Sequence, residues 1–267
     1  MCFKVGFTNE NAYLSIILTR FVSYKFVLHI FIPLFCLLPG MDLSAQLKTS
    51  AYTDLGQNAA SDGMFIKIAD LTSYQLGKIK LEGGVQVDLL GNTDRIFSGF
   101  NFNFSKEWSI KSFPVETRAF FILTPFSDIL RESNWGILFG IYRDHFTIKI
   151  GTEFRTFAYN HRAENSYDVD KDIRIHENWN IIYSFSGYVK PTDNKWNIGL
   201  SLTNADHFII NQEINPFLNL RFDYKFNSTL QAYCETWYES AGALNLVVNY
   251  FGFFIRTGII WNINLTD

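Results

Sequence analysis

Charged and amide side chains recur at every second position in several segments of this chain. Side chains two residues apart lie on the same face of a β-strand, so each segment would collect its polar groups on one face. Acidic and basic groups are mixed there, so they can pair within a packed polar interior or together orient a small polar solute. The candidate residues for this polar face are Lys80, Glu82, Glu116, Arg118, Glu153, Arg155, Arg174, His176, Asn178, Arg221, Asp223, Glu235 and Arg256.

The histidines could act as general bases, but the sequence offers none of them a suitable partner. His176 shares a strand face with Ser184, yet eight residues of strand separate the two by about 26 Å. The neighbours in Asp144-His145 and in Asp206-His207 would point to opposite faces of a strand. No Gly-x-Ser-x-Gly or His-Glu-x-x-His motif occurs. We therefore expect no catalytic residues and no enzyme activity.

The acidic run at residues 164–172 has the alternate spacing of a calcium-binding loop. Asp168, Asp170 and Asp172 supply carboxylates at every second position. However, Ile173 occupies the position that requires glycine, and no glutamate follows at the twelfth position. The run therefore indicates a charged external loop, and we expect no metal and no cofactor.

The elements that would position the polar groups are long alternating strands, of which residues 174–189 give the clearest case. One face carries Ile175, Trp179, Ile181, Tyr183, Phe185 and Val189, and the other carries Arg174, His176, Asn178, Asn180, Ser184 and Ser186. A period of two predicts an extended strand. Comparable runs begin near residues 78, 100, 196 and 218.

The number of such runs predicts an all-β, up-and-down antiparallel barrel of about twelve strands, with ten to fourteen possible. The count includes a first strand near residues 47–56 and treats 243–264 as one long strand with a bulge. A two-residue turn at Phe251-Gly252 is the alternative there. Longer connections at 91–96, 125–133, 159–173 and 205–212 are expected to be external loops.

Composition narrows the class of partner. The formal net charge of -3 and the pI of about 6.0 give no electrostatic case for nucleic acid. Aromatic residues reach 17%, which calls for a large apolar surface without long aliphatic runs. The chain therefore suits contact with lipid through strands.

The first 45 residues predict a signal peptide cleaved near Ala45, followed by a single barrel at residues 46–267. Lys4, Arg20 and Lys25 precede an apolar stretch at residues 26–38, which is short for a membrane-spanning helix. An uncleaved N-terminal anchor is the alternative. Removal of the signal would leave Cys234 as the single cysteine, which excludes an internal disulfide.

Tryptophans fall at or near the predicted strand ends, where interfacial aromatic girdles lie in membrane proteins. They are Trp108, Trp135, Trp179, Trp196 and Trp261. A soluble β-sandwich also has alternating strands, but strands of about 10 to 14 residues are long for a sandwich. These features favour a barrel that spans a membrane.

With this pattern the chain resembles Gram-negative outer-membrane β-barrel proteins of a small, porin-like size class. The alternation at Trp261, Ile263 and Leu265 is similar to the final strand of such proteins, although the chain ends Thr266-Asp267. The resemblance implies an outer-membrane location and contact with outer-membrane lipid, lipopolysaccharide and the barrel-assembly machinery. It also implies passive passage of small polar solutes. A structural or adhesion barrel with an occluded lumen is the alternative, followed by an outer-membrane hydrolase.

Overall fold

The computed structural model describes residues 45–57, 63–90, 96–110, 113–125, 130–159, 174–190, 194–211, 215–241 and 250–264. The predicted signal peptide up to residue 44 and the calcium-like run at 164–172 lie outside these ranges. The side chains of Arg174 and His176 are also outside the described part, although the backbone of both residues is described.

Twelve antiparallel strands form one closed barrel, so the predicted strand number and fold class are confirmed. The strands are β1 (Ala45–Gln57), β2 (Met64–Leu76), β3 (Ile79–Asp88), β4 (Phe97–Ile110), β5 (Phe113–Pro125), β6 (Leu130–Tyr142), β7 (Phe146–Tyr159), β8 (Arg174–Tyr188), β9 (Trp196–Thr203), β10 (Phe217–Lys225), β11 (Leu230–Ala241) and β12 (Tyr250–Asn264). Each strand pairs with its neighbours in sequence.

The first and last strands close the barrel through pairing of Gln46–Gln57 with Phe253–Asn264. Gln46 pairs with Asn264 at one end of the seam, and Gln57 pairs with Phe253 at the other. The alternative turn at Phe251-Gly252 is wrong, because both residues pair with β11 as part of a continuous β12. Closure leaves no unpaired sheet edge at this seam, as a barrel in lipid requires.

The wall inverts the burial pattern of a soluble protein. In β9, Leu200 is 55% exposed on the outer face, whereas Thr203 on the inner face is 4% exposed. The same inversion places Ile137 and Phe139 outside and buries Asn134 inside. A single closed sheet with this pattern excludes the β-sandwich, whose two sheets bury apolar side chains between them.

Connections alternate between the two ends of the barrel. One end, here called the turn end, carries the connections 77–78, 111–112, 143–145, 189–195 and 226–229. The two-residue connection 77–78 uses Gly77 with a φ of 57°, a left-handed conformation that favours glycine. The other end, the loop end, carries the two longest connections, 160–173 and 204–216.

Among the described residues, no helix is long and apolar enough to cross a membrane.

Candidate functional site

The connection between β9 and β10 folds into the barrel. Its residues 204–211 form a small antiparallel turn, here called the inserted hairpin. The Asn211 amide donates to the Asn204 carbonyl at 2.7 Å, and the Asp206 amide donates to the Ile209 carbonyl at 2.7 Å. His207 and Phe208 form its tip. The expectation of an external loop at 205–212 is therefore wrong for this segment.

A single asparagine diverts the chain from the wall into the interior. The Asn204 amide group donates to the Ile181 carbonyl at 2.8 Å, and its side-chain oxygen accepts from the Tyr183 amide at 2.8 Å. The Asn204 side chain thereby occupies backbone groups of β8, the Ile181 carbonyl and the Tyr183 amide, to which a longer β9 would otherwise bond. β9 ends after eight residues as a consequence.

The inserted hairpin reaches from one side of the lumen to the other. Phe208, which is fully buried, packs in a cluster with Leu71 of β2 and Tyr233 of β11. Ile210 packs in a second cluster with Phe120 of β5 and Ile182 of β8. These two groups of strands lie on opposite sides of the closed strand order. The hairpin therefore crosses the interior at this level.

Gly99 of β4 provides the space for the hairpin tip. A Cβ atom at this position would lie 2.9 Å from Cδ1 of Phe208 and 3.3 Å from its Cβ. Both distances are tighter than ordinary van der Waals contact, so a larger residue at position 99 would displace the aromatic ring.

Arg256 of β12 binds the hairpin to the wall. Its Nε and Nη2 atoms donate to Asp54 of β1 at 2.6 and 2.9 Å. Its Nη1 and Nη2 atoms donate to Asp206 of the hairpin at 2.9 and 2.7 Å. All three side chains are almost fully buried, so the two carboxylates and the guanidinium depend on one another for charge compensation.

Two further wall side chains hold the backbone of the hairpin. Arg155 of β7 donates to the Ile210 carbonyl at 2.9 Å and to Glu153 at 2.9 Å. On β4, the Asn101 amide donates to the His207 carbonyl at 2.8 Å. The hairpin is thus fixed from β4, β7 and β12 by side chains.

The titratable groups of the hairpin lie outside the membrane-spanning strands, and burial opposes ionisation of both. For Asp206, the Arg256 guanidinium outweighs burial and lowers the pKa to about 2. For His207, burial dominates and lowers the pKa of the imidazole, although Asp206 and Glu82 act in the opposite direction. Above pH 7, Asp206 is therefore charged and His207 is neutral.

The turn-end half of the lumen is also charged, but solvent reaches it. Lys80 pairs with Glu82 at 2.8 Å, and Arg118 pairs with Glu116 at 2.7 Å. Arg221 pairs with Asp223 at 2.7 Å and also with Glu235. Lys80 and Arg221 are each 26% exposed, against 2–3% for Arg155 and Arg256 near the hairpin. Solvent therefore reaches Lys80 and Arg221 in the turn-end half more than it reaches Arg155 and Arg256 around the hairpin.

The structure brings the polar residues named from the sequence into two groups. Glu153, Arg155 and Arg256 surround the hairpin, while Lys80, Glu82, Glu116, Arg118, Arg221, Asp223 and Glu235 line the turn-end half, with Glu235 reaching towards Arg256 at 3.7 Å. Asn178 faces inward on β8 and donates to Asn180 at 3.5 Å. The side chains of Arg174 and His176 are not among the described ones, so neither residue is assigned to a group.

Sequence reasoning missed Asp54, Asn101, Asn204 and Asp206. Asp54 and Asn101 occupy inward positions of alternating strands, so the period of two could have found them. Asp206 and His207 were weighed as neighbours on a strand, facing opposite ways. In the inserted hairpin both residues line the same interior cavity, because a turn does not alternate as a strand does.

The five tryptophans named from the sequence all lie on the outer face, with exposures of 39–69%. Trp135 and Trp179 belong to a row in which Phe121, Trp135, Phe154 and Trp179 lie opposite one another on β5 to β8. Trp108, Trp196 and Trp261 lie towards the turn end. The Nζ atoms of Lys106 and Lys190 lie over Trp108 and Trp196, at 4.1 and 3.1 Å from the ring centroids. Aromatic rings paired with cations are typical of a membrane–water interface.

Asp70 is an exception on the apolar outer face. It lies at the middle of β2, points outward and is exposed. Its register neighbours Ala51 and Val85 supply no charge. A carboxylate at this depth is unfavourable in lipid.

Within the described ranges, no group of three or more histidine, cysteine, aspartate or glutamate side chains could hold a metal ion. The imidazole of His145 contacts the Tyr188 carbonyl at 3.3 Å, and no described histidine side chain has a hydrogen bond to a serine.

A closed antiparallel wall, an apolar and aromatic outer belt and a polar interior together define the class of transmembrane β-barrels. No protein-family model and no curated protein sequence matches the chain. Three solved structures of outer-membrane barrels are similar to it in architecture. The translocator domain of the autotransporter NalP from Neisseria meningitidis has a TM-score of 0.41 and 9% identity, over 94% of this chain and 96% of that one.

The other two are outer membrane phospholipase A and Omp33. The phospholipase, from Escherichia coli, has a TM-score of 0.42 and 8% identity, over 80% of this chain and 89% of its own. Omp33 from Acinetobacter baumannii has a TM-score of 0.37 and 8% identity, over 84% of this chain and 100% of its own. At such identities the likeness concerns the fold alone.

Proposed function

We propose that this protein is an outer-membrane channel for small polar solutes and that the inserted hairpin is its constriction. An N-terminal signal peptide, residues 1–45, would direct it to the periplasm, where the barrel-assembly machinery would insert it among lipid and lipopolysaccharide. The turn end then faces the periplasm, because short turns lie on that side of bacterial barrels.

The observation that carries the proposal is the contrast between the two halves of the lumen. Paired charges such as Lys80 with Glu82 line a solvent-reached vestibule, which suits polar solutes that exchange water for fixed dipoles. The vestibule ends at the inserted hairpin. Side chains of the wall hold this hairpin at Asp206, His207 and Ile210, in place of a continuous ladder of backbone hydrogen bonds. Such an attachment can open without breaking the barrel.

A barrel with a permanently occluded lumen is the second candidate. It is favoured by the burial of Arg155, Glu153 and Arg256 around the hairpin, since each is at most 3% exposed. Arginine–carboxylate pairs that fill an interior in this way can serve rigidity alone.

Planar-bilayer recording on the refolded wild-type protein separates the two candidates. A channel gives discrete open events in potassium chloride, with an open state that passes ions of both signs because the charges of the vestibule are mixed. The same preparation must show the mobility shift on heating that marks a folded barrel. Folded protein that never conducts would exclude the channel and leave the occluded barrel.

A further inference from the structure

The interior holds a cavity of about 260 Å³ that is lined by the inserted hairpin and by inward side chains of β4 to β12. We propose that this cavity binds a small oxyanion, such as phosphate or a short carboxylate, with Lys149 of β7 as its charge partner. The inference concerns occupancy of an interior site, so it does not rest on the passage of solutes through the barrel.

Lys149 is the cation of this cavity that forms no ion pair among the described residues, although Glu116 and Glu82 lie near enough to act on its charge. Arg118, Arg221 and Arg256 line the same cavity, and each forms an ion pair with a carboxylate. Among the described residues, Lys149 has no ion pair, and its Nζ atom lies 5.6 Å from the centroid of the Tyr142 ring. Its charge is therefore available to a ligand.

The nearest carboxylate at the same height of the wall is already engaged. Glu116 lies opposite Gly140, which lies opposite Lys149 in the strand register. One Glu116 oxygen accepts from Arg118 at 2.7 Å, and the other accepts from Tyr142 at 2.6 Å. Each Glu116 oxygen already accepts one hydrogen bond and the carboxylate already pairs with Arg118, so an external anion would bring Lys149 a charge of its own.

Neutral donors continue from Lys149 across the wall. Ser184 lies directly opposite Lys149, and Ser186 lies opposite Ser201, with 2.8 Å between the two hydroxyl oxygens. Asn219 follows opposite Ser201. Asn219 is 3% exposed, and its side-chain NH₂ group has no hydrogen-bond partner although it lines the cavity. A buried donor of this kind calls for an acceptor.

These donors select the class of ligand. A cation would need a free carboxylate, but Asp206 and Glu235 in the lining are bound to Arg256 and Arg221. A neutral polyol would use the hydroxyls and leave the ammonium of Lys149 uncompensated. An oxyanion suits both the ammonium of Lys149 and the neutral donors of the lining, which are the serine hydroxyls and the Asn219 amide.

Isothermal titration calorimetry with inorganic phosphate tests the site on the full chain, refolded in detergent at low ionic strength. We expect the wild type to bind phosphate and Lys149→Met to bind it about tenfold or more weakly, because a charged hydrogen bond is lost. Lys67→Met is the matched control. Lys67 is also a lysine beside an aromatic ring, at 4.9 Å from Phe65, but it does not line the cavity. The affinity of Lys67→Met for phosphate should stay within about twofold of the wild type, since Lys67 makes no contact with the bound anion.

Absence of phosphate binding by the folded wild type would overturn the proposal, and so would an equal loss in the two lysine variants. If Lys149→Met does not fold, Asn219→Asp provides the second test, because a carboxylate in the cavity should abolish phosphate binding. Unchanged phosphate binding by a folded Asn219→Asp would contradict the site. If the protein conducts but binds no phosphate, only the phosphate site is refuted. If it binds phosphate and never conducts, only the proposed channel is refuted.

Discussion

At the scale of single residues, the guanidinium of Arg256 joins the barrel wall to the inserted hairpin. It binds Asp54 and Asp206 with four hydrogen bonds, and its Cζ atom lies 4.1 Å from the centroid of the Tyr52 ring. Because these ion pairs are buried, each charge mainly offsets the cost of burying the other, and the net gain from their attraction is small. Removing one member leaves the others charged and largely shielded from solvent.

Arg256→Met should therefore lower the free energy of unfolding by about 3–5 kcal/mol, as expected when a buried pair loses one partner. Denaturant titration of the barrel in micelles, followed by tryptophan fluorescence, measures the change. Lys80→Met is the control, because its pair with Glu82 is partly exposed and is worth about 0–1 kcal/mol. Equal losses in both variants would contradict the assignment of Arg256 as the main anchor.

Asp206 makes the hairpin sensitive to acid. Its folded-state pKa of about 2 is below the ordinary value for an aspartate, so its stabilising contribution is present above about pH 4 and is lost as the pH falls towards 2. The difference in unfolding free energy between the wild type and Asp206→Asn should be largest above pH 4 and should shrink on acidification. A difference that stays constant from pH 6 to pH 2 would show that Asp206 is not ionised in the folded state.

Replacing Asp70, unlike replacing Arg256, is expected to raise the free energy of unfolding. It points outward from the middle of β2, where its register neighbours are Ala51 and Val85. Replacement by valine should raise the free energy of unfolding in lipid vesicles by about 1 kcal/mol, because a polar group then leaves the lipid face. Thr72→Val, at another exposed outward position of β2, should change it less. Destabilisation by Asp70→Val would contradict a lipid-facing position.

At the scale of elements, the inserted hairpin is the part of the site that the sequence did not predict. The alternation of Trp196, Ile198, Leu200 and Leu202 with polar residues was enough to predict β9, because each face meets one kind of surroundings. The segment that follows has no such periodicity. Its inward position depends on contacts with β2, β5, β8 and β11, which are distant in sequence.

The space beside the hairpin tip can be tested with two glycines. Gly99→Val would place a Cβ 2.9 Å from the Phe208 ring, so we expect the hairpin to be displaced and stability to fall by about 1–3 kcal/mol. Gly187→Val is the matched control, since nothing lies within 4 Å of a Cβ there. Protection of the hairpin from a nonspecific protease should fall in Gly99→Val alone. Equal protection in the two variants would contradict the packing of Phe208 against β4.

At the scale of the whole molecule, the sequence was enough to predict the strands of the wall but not the arrangement of the interior. Twelve strands, their closure through β1 and β12 and the outward tryptophans follow from patterns that are local in sequence. Whether the inward charges fill a lumen or line it could not be predicted. That depends on Asn204 and Gly99, which have no distinctive neighbours in sequence but direct the hairpin and leave room for it.

The barrel and the hairpin make separable contributions to the molecule. The wall is a closed order of backbone-paired strands, with β8 paired to β9 only over Ser184–Tyr188. The hairpin is held to it by side chains of Asn101, Arg155 and Arg256. Shortening the hairpin should therefore leave a folded barrel with a wider passage.

Unitary conductance of a hairpin-shortened protein, in which residues 205–210 are replaced by two glycines, tests this central claim most directly. Recorded in the same planar bilayers, its open-state conductance should exceed that of the wild type several-fold, because the segment that crosses the lumen between the β2 and β5 walls is gone. A folded, shortened barrel whose conductance equals that of the wild type would contradict the hairpin as the constriction.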